Sequence, residues 1–120
     1  MDIKDILTKI HEDIKNQRKK LLYMKNKIEE QQEIIKLWEL EQITDIANTV
    51  DEKGKLVFSN ETKRQAELER RKKEDHKYQN MQKELKAQKF EYDMAVIMLQ
   101  GMLDKQENAR ALARIEGVAS

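Results

Sequence analysis

His11 and His76 are the two side chains of this 120-residue chain that could exchange a proton near neutral pH, so whether they meet decides much of its possible chemistry. If the chain folds back near its middle, they fall about 18 residues apart along the helices, about 27 Å at 1.5 Å per residue. They are then too distant to share a metal or a reaction centre. The stretch "DEKGKLVFSNET" holds acids and a glycine, but lacks the alternating oxygen ligands and closing glutamate of a calcium loop. With Gly54, Gly101 and Gly117 as its three glycines the chain cannot build a phosphate-cradling loop. The absence of cysteine removes disulfides, thiol nucleophiles and thiolate metal sites. The expectation is a protein that is not an enzyme and carries neither cofactor nor metal.

The elements that would position such residues are long helices. The chain is 39% charged and 38% hydrophobic with no proline, a composition that suits amphipathic helices burying a stripe rather than a compact globule. Disorder is the competing outcome for so charged a chain, and the strict apolar period argues against it. One column reads Leu7, Ile14, Leu21, Ile28 and Ile35, and the other Ile3, Ile10, Gln17, Met24, Gln31 and Trp38. These alternating steps of three and four make a coiled-coil seam. A second series follows, with Tyr78, Leu85, Tyr92 and Leu99 beside Met81, Gln88, Ala95 and Met102. Asn60 reads as its N-cap, with Glu61 in the first turn.

Between the two series, Thr44 to Val50 and Lys55 to Asn60 flank Asp51-Glu52-Lys53-Gly54, which predicts a β-hairpin with Gly54 at positive φ. The fold class expected is therefore mainly α: an antiparallel two-helix coiled-coil hairpin with a central β-hairpin, assembling into an oligomeric bundle. It forms one elongated domain, 1–120, with helix 1 over 2–43, the hairpin over 44–60 and helix 2 over 61–116. Pairing Gln17 with Gln88 sets the register, because an unpaired buried amide costs about 1 to 3 kcal/mol. That register places Met24 beside Met81, Arg70 to Lys73 against Glu29 to Glu33, and Arg18, Lys19 and Lys20 near Glu84. It also leaves a C-terminal overhang from about residue 104.

The register bears on nucleic acid. Lys15 to Lys27 holds six basic residues and no acid, but the net charge of +1 and the acidic neighbours expected on the facing helix argue against a dedicated phosphate surface. Nucleic-acid binding remains the lesser alternative. The longest uncharged run, Met94 to Leu103, is too short to cross a membrane, and the start "MDIKDILTKI" resembles neither a secretory signal nor a transit peptide. A cytoplasmic location is expected.

Surplus apolar residues point to partners. Ile34, Leu37, Leu40, Ile43, Ile46, Val57 and Phe58 widen the stripe near the hairpin, and "MAVIMLQGML" is apolar on nearly every face. Met94, Ile97, Met98, Gly101, Leu103, Leu112 and Ile115 are the expected self-association residues of a dimer or tetramer. The hairpin tip, Glu52, Lys53 and Lys55, and the basic face, Lys63, Arg64, Arg70 and Arg71, are the expected contacts to an unidentified protein target.

In layout the chain resembles a β-type prefoldin subunit, a helix, hairpin, helix chain whose helix tips grip unfolded clients; "DIANTVDEKGKLVFSN" departs from the Tyr-Lys and glycine pattern of prefoldin strands. Residues 50 to 85, "VDEKGKLVFSNETKRQAELERRKKEDHKYQNMQKEL", resemble a hairpin-plus-helix pattern of small phage and mobile-element proteins of Firmicutes, through Gly54, Lys55, Ser59, Asn60, Arg64 and Tyr78. The second resemblance implies a phage-encoded interaction protein in the host cytoplasm, blocking a nuclease, recombination enzyme or CRISPR effector. The first implies a holdase chaperone, and a structural assembly protein is the third reading.

Overall fold

The computed structural model describes residues 2–117; Met1 and residues 118–120 of the expected domain lie outside the described residues. Three helices follow one another: α1 (Ile3–Asn48), α2 (Glu61–Glu74) and α3 (His76–Ile115). They form two compact units, one joining the α1 segment up to Lys27 with the α3 segment from Gln88 on, the other made of Ile28–Ala87.

In the first unit Ile3, Ile10, Ile14 and Gln17 of α1 are buried with Ala95 and Ala113 of α3. Leu7, Leu21, Met24, Tyr92, Leu99 and Met102 are half-buried along the same stripes. The heptad columns are therefore the seam, because each turn of helix must cover one side of its apolar stripe to remove it from water. In the second unit Ile35, Trp38, Tyr78 and Met81 form the core, with Leu85 packed against it. The Trp38 and Tyr78 rings stack with centroids 4.4 Å apart.

The pairing of the strips departs from the expected register by one heptad. Gln17 Nε2 donates to the Ala95 carbonyl at 2.9 Å, seven residues beyond Gln88. In the second unit Gln31, not Met24, reaches Met81, its Nε2 donating to the Met81 carbonyl at 3.0 Å. A helical carbonyl bonded along its own helix keeps a second lone pair. Each glutamine is thus satisfied by main chain, and amide need not find amide. The shift also removes the expected overhang: Leu7, Thr8 and His11 line one groove with Gln106 and Arg110, and Ala113 is 0% exposed. Extending contact over Gln106–Ala113 buries apolar surface that the expected register leaves in water.

Two further expectations are corrected. No β-hairpin forms among the described residues; the connection contains a single antiparallel bridge, Val50 to Leu56. Thr44–Asn48, expected as strand, continue α1, because the helical register buries Ile46 to 2% exposure. Packing an apolar side chain outweighs the modest strand preference of threonine and isoleucine. The remaining turn is closed by Asp51 N donating to Lys55 O (2.8 Å) and by Gly54 N donating to Asp51 O (3.0 Å), with Gly54 at φ +78°. Only glycine adopts that conformation without strain.

The second correction is a break in the expected helix 61–116. It begins as expected, Asn60 Oδ1 accepting from Lys63 N at 2.9 Å, but stops at Glu74. Asp75 is extended (φ −83°, ψ 112°), and its Oδ1 accepts from Tyr78 N at 2.7 Å, capping α3. Its own N–H donates to Arg71 O at 3.0 Å, while Gln79 Nε2 donates to Lys72 O at 2.5 Å. Aspartate offers the backbone a local alternative to helix, and here both helix ends at the break are satisfied by it and by Gln79.

Candidate functional site

The basic face expected to meet a target is held largely within the chain. Glu67, its side chain 10% exposed, is the hub. Arg70 grips it through Nε (2.6 Å) and a terminal nitrogen (2.9 Å), and Arg71 Nε adds a third contact at 2.9 Å. Arg71 also reaches Asp45 at 2.7 Å and Gln42 at 2.9 Å on α1. Arg70 further donates to Glu74 at 2.6 Å. Hydrogen bonds from Arg70 and then Arg71 pull the Glu67 carboxyl down to about 2; Glu67 in turn raises the Arg70 guanidinium above its ordinary range, and Asp45, ahead of Glu67, raises that of Arg71. Arg64 Nε donates to Phe58 O at 3.1 Å, pinning the turn to α2, and pairs with Glu61 at 3.6 Å. Arg70 and Arg71 therefore meet Glu67, Glu74 and Asp45, not the expected Glu29 to Glu33. Lys63 remains exposed beside a shallow groove lined by Val57, Phe58, Ala66, Glu67 and Arg70.

At the turn tip Glu52, Lys53 and Lys55 are exposed. Asp51 Oδ1 accepts from the backbone of Lys53 (2.8 Å) and of Lys55 (3.0 Å), so the tip is ordered by its own aspartate.

Val50, Leu56 and Val57 of the turn and Leu22 of α1 are exposed, and further exposed apolar side chains lie together on a helix of each unit. In the second unit Ile34, Leu37, Leu40 and Ile43 stand exposed on α1, Leu37 at 57%. Leu37 and Leu40 line a shallow groove with Glu41, Thr44, Asp45 and Asn48. Three successive steps of three wind these residues around the side of α1 away from the buried Ile35, Trp38 and Ile46. In the first unit Met94, Ile97, Met98, Leu112 and Ile115 are exposed, Ile97 at 64%. Gly101, also exposed, has open space where a Cβ would stand. Leu103, expected with them, is half-buried. Sequence reasoning missed Phe90, exposed and four residues before Met94; the steps 90, 94, 97, 101 were the signal.

The long basic run on α1 has a different environment from the one expected. Among the described residues Lys15, Arg18, Lys19, Lys20 and Lys25 are exposed and make no ion pair. In the observed register Ala95, not Gln88, meets Gln17. Tyr23 stands exposed in this run with Lys27 Nζ 5.5 Å from its ring centre.

His11 and His76 are both exposed, and no group of three potential metal-ligating side chains occurs among the described residues. Among the described residues no helix is long and apolar enough to cross a membrane. A second partly buried polar network joins Tyr78 to Glu39: the phenol donates to Glu39 Oε1 at 3.0 Å and accepts from Gln82 Nε2 at 2.9 Å. Lys72 Nζ lies 3.7 Å from the same Glu39 oxygen. Burial, chiefly, pushes the Tyr78 phenol up, which keeps it protonated as a donor. Through Lys72 the arrangement links the aromatic stack to α2. No family model, curated protein or solved structure matches the chain.

Proposed function

We propose that this protein is a non-enzymatic protein-protein interaction module, binding an apolar helix or strand of a target protein on the Ile34, Leu37, Leu40 and Ile43 face of α1. The observation that carries this reading is the exposure of these four large side chains in a helix whose opposite side already packs the Trp38 and Tyr78 core. Apolar surface kept in water is costly, and a contiguous patch of it most often marks an interface. The exposed tip residues Glu52, Lys53 and Lys55 supply polar contacts that orient a target, while Arg70 and Arg71 are spent on internal pairs. A blocking role against a host nuclease, recombination enzyme or CRISPR effector is the form of this activity implied by the mobile-element resemblance.

The test is a pull-down from lysate of the source cells with wild type and with Leu37→Glu/Leu40→Glu. Wild type is expected to retain one stoichiometric partner that the variant loses at unchanged helicity. Equal retention by the variant would overturn the assignment of the face. Suppressed aggregation of many unrelated unfolded proteins would instead identify a holdase.

Lys15, Arg18, Lys19, Lys20 and Lys25, which make no ion pair among the described residues, favour one second reading, contact with a nucleic-acid backbone. Such binding is electrostatic and weakens steeply with salt. A mobility-shift titration at low and moderate salt tests it: no salt-sensitive shift, or one unchanged in Lys19→Glu/Lys20→Glu, rules it out.

A further inference from the structure

We infer that one flank of the first unit binds the phosphate backbone of duplex nucleic acid, through cations that both helices bring to the same side of their seam. This rests on the nucleic-acid reading above and gives it a face, a second helix and a form of ligand.

The flank follows from the heptads. Leu7, Ile14 and Leu21 lie in the seam, and the residues one and four places after each fall together on one side of α1. They are Thr8 and His11, Lys15 and Arg18, Leu22 and Lys25, all exposed. Lys4, seven residues before His11, begins the same column, and no acid interrupts this side from Lys4 to Lys25. The acids of that stretch, Asp5, Glu12 and Asp13, fall on the back of α1 or across the seam, where Asp13 pairs with Lys9 at 3.2 Å.

Helix α3 adds cations to the same side. Thr8 and His11 line a groove with Gln106 and Arg110, so Arg110 marks the column of α3 that adjoins this flank. Lys89 stands three heptads earlier in that column, and Arg114 follows one place after the buried Ala113. Asp93 and Glu107 are the acids of this side of α3, and Glu107 pairs with Arg110 at 3.8 Å. Lys4, Lys15, Arg18, Lys25, Lys89 and Arg114 are exposed and make no ion pair among the described residues. Seven cations against two acids concentrate on one flank a positive charge that the net +1 of the chain conceals.

The form of the flank selects the ligand. It spans about 32 Å from Lys4 to Lys25 at 1.5 Å per residue, comparable with one duplex turn of about 34 Å. Binding in the plane of a membrane needs apolar side chains beneath the cations, whereas the exposed Met94 and Met98 lie across the seam. A single strand stacks its bases on aromatic rings, and the exposed Tyr23 and Phe90 both fall outside this flank. Contact with a duplex backbone, without base readout, needs neither.

Titration of a labelled duplex of about two turns with the full chain, read by fluorescence anisotropy at two salt concentrations, tests this. Wild type is expected to bind and to weaken about 100-fold between about 50 and 200 mM salt, as release of ions from about four phosphates requires. Lys89→Glu/Arg110→Glu, far in sequence from the basic run of α1, is expected to bind about tenfold more weakly at unchanged helicity. Lys9→Glu/Lys105→Glu makes the same change of charge across the seam and is expected to lose less than about twofold. Salt-sensitive binding that Lys89→Glu/Arg110→Glu leaves unchanged, or that both variants weaken equally, overturns the flank while the reading that rests on the α1 run stands. No binding of the duplex at low salt overturns both. Tighter binding of an oligothymidine strand, or binding of anionic lipid vesicles in place of the duplex, overturns the choice of ligand.

Discussion

The Gln17 side chain, itself buried, donates a 2.9 Å hydrogen bond from Nε2 to the main-chain carbonyl of Ala95. The contact depends on alanine, whose single methyl lets the amide reach the backbone behind it. Ala95→Leu is expected to lower stability by about 1 to 3 kcal/mol through overpacking and loss of that bond, measured by urea unfolding.

The same contact predicts a crosslink. The chain has no cysteine, so Gln17→Cys with Ala95→Cys provides the only thiols. A short bifunctional thiol reagent is expected to join them within one chain, whereas Gln17→Cys with Gln88→Cys is expected to react far more slowly. Equal yields from the two pairs would contradict the register.

Trp38 is the one tryptophan, and its ring stacks on Tyr78 at 4.4 Å, so its fluorescence reports the core of the second unit directly. Trp38→Ala is expected to cost about 3 to 5 kcal/mol. Tyr78→Phe keeps the stack but removes the bonds to Glu39 and Gln82, and is expected to cost about 0.5 to 1.5 kcal/mol.

Glu67 carries the pH dependence. Its folded pKa is depressed to about 2 from 4.5 by Arg70 and Arg71, so below pH 4.5 the unfolded chain binds the proton more readily. Its contribution is complete above about pH 4.5 and is lost as pH falls from there toward 2. Thermal unfolding between pH 6 and pH 2.5 is expected to show a steeper loss for wild type than for Glu67→Gln. Parallel curves would remove Glu67 from the account.

Asp75 caps α3 through Tyr78 N, and Asp75→Ala is expected to lower stability by about 0.5 to 2 kcal/mol. Asp75→Asn keeps a side-chain acceptor and is expected to lose less, in the same denaturation measurement.

Much of this molecule is decided locally and was legible as such. Ile3, Ile10, Ile14, Ile35 and Trp38 are buried where the heptad places them, and Asn60 caps α2 as its type and position indicate. Gly54 takes the positive φ its turn requires. Such features depend on one helical period or one short-range hydrogen bond, which the residues themselves specify. The exposed stripe of Met94, Ile97, Met98 and Gly101 was legible for the same reason, since a second apolar period on one helix needs a second surface.

What only the tertiary structure decided is how these locally specified stripes meet. A heptad seam looks alike every seven residues, so Gln17 on Gln88 and Gln17 on Ala95 are nearly equivalent in pattern. The choice between them follows from the summed burial of Gln106–Ala113 and from a main-chain acceptor that leaves no mark on residue type. It also decides the charges, tying Arg71 to Asp45 and leaving Lys15, Arg18, Lys19, Lys20 and Lys25 without ion pairs among the described residues. The missing hairpin has the same cause. Burying Ile46 carries α1 through Thr44 to Asn48, and a local strand preference yields to packing that only the folded chain provides.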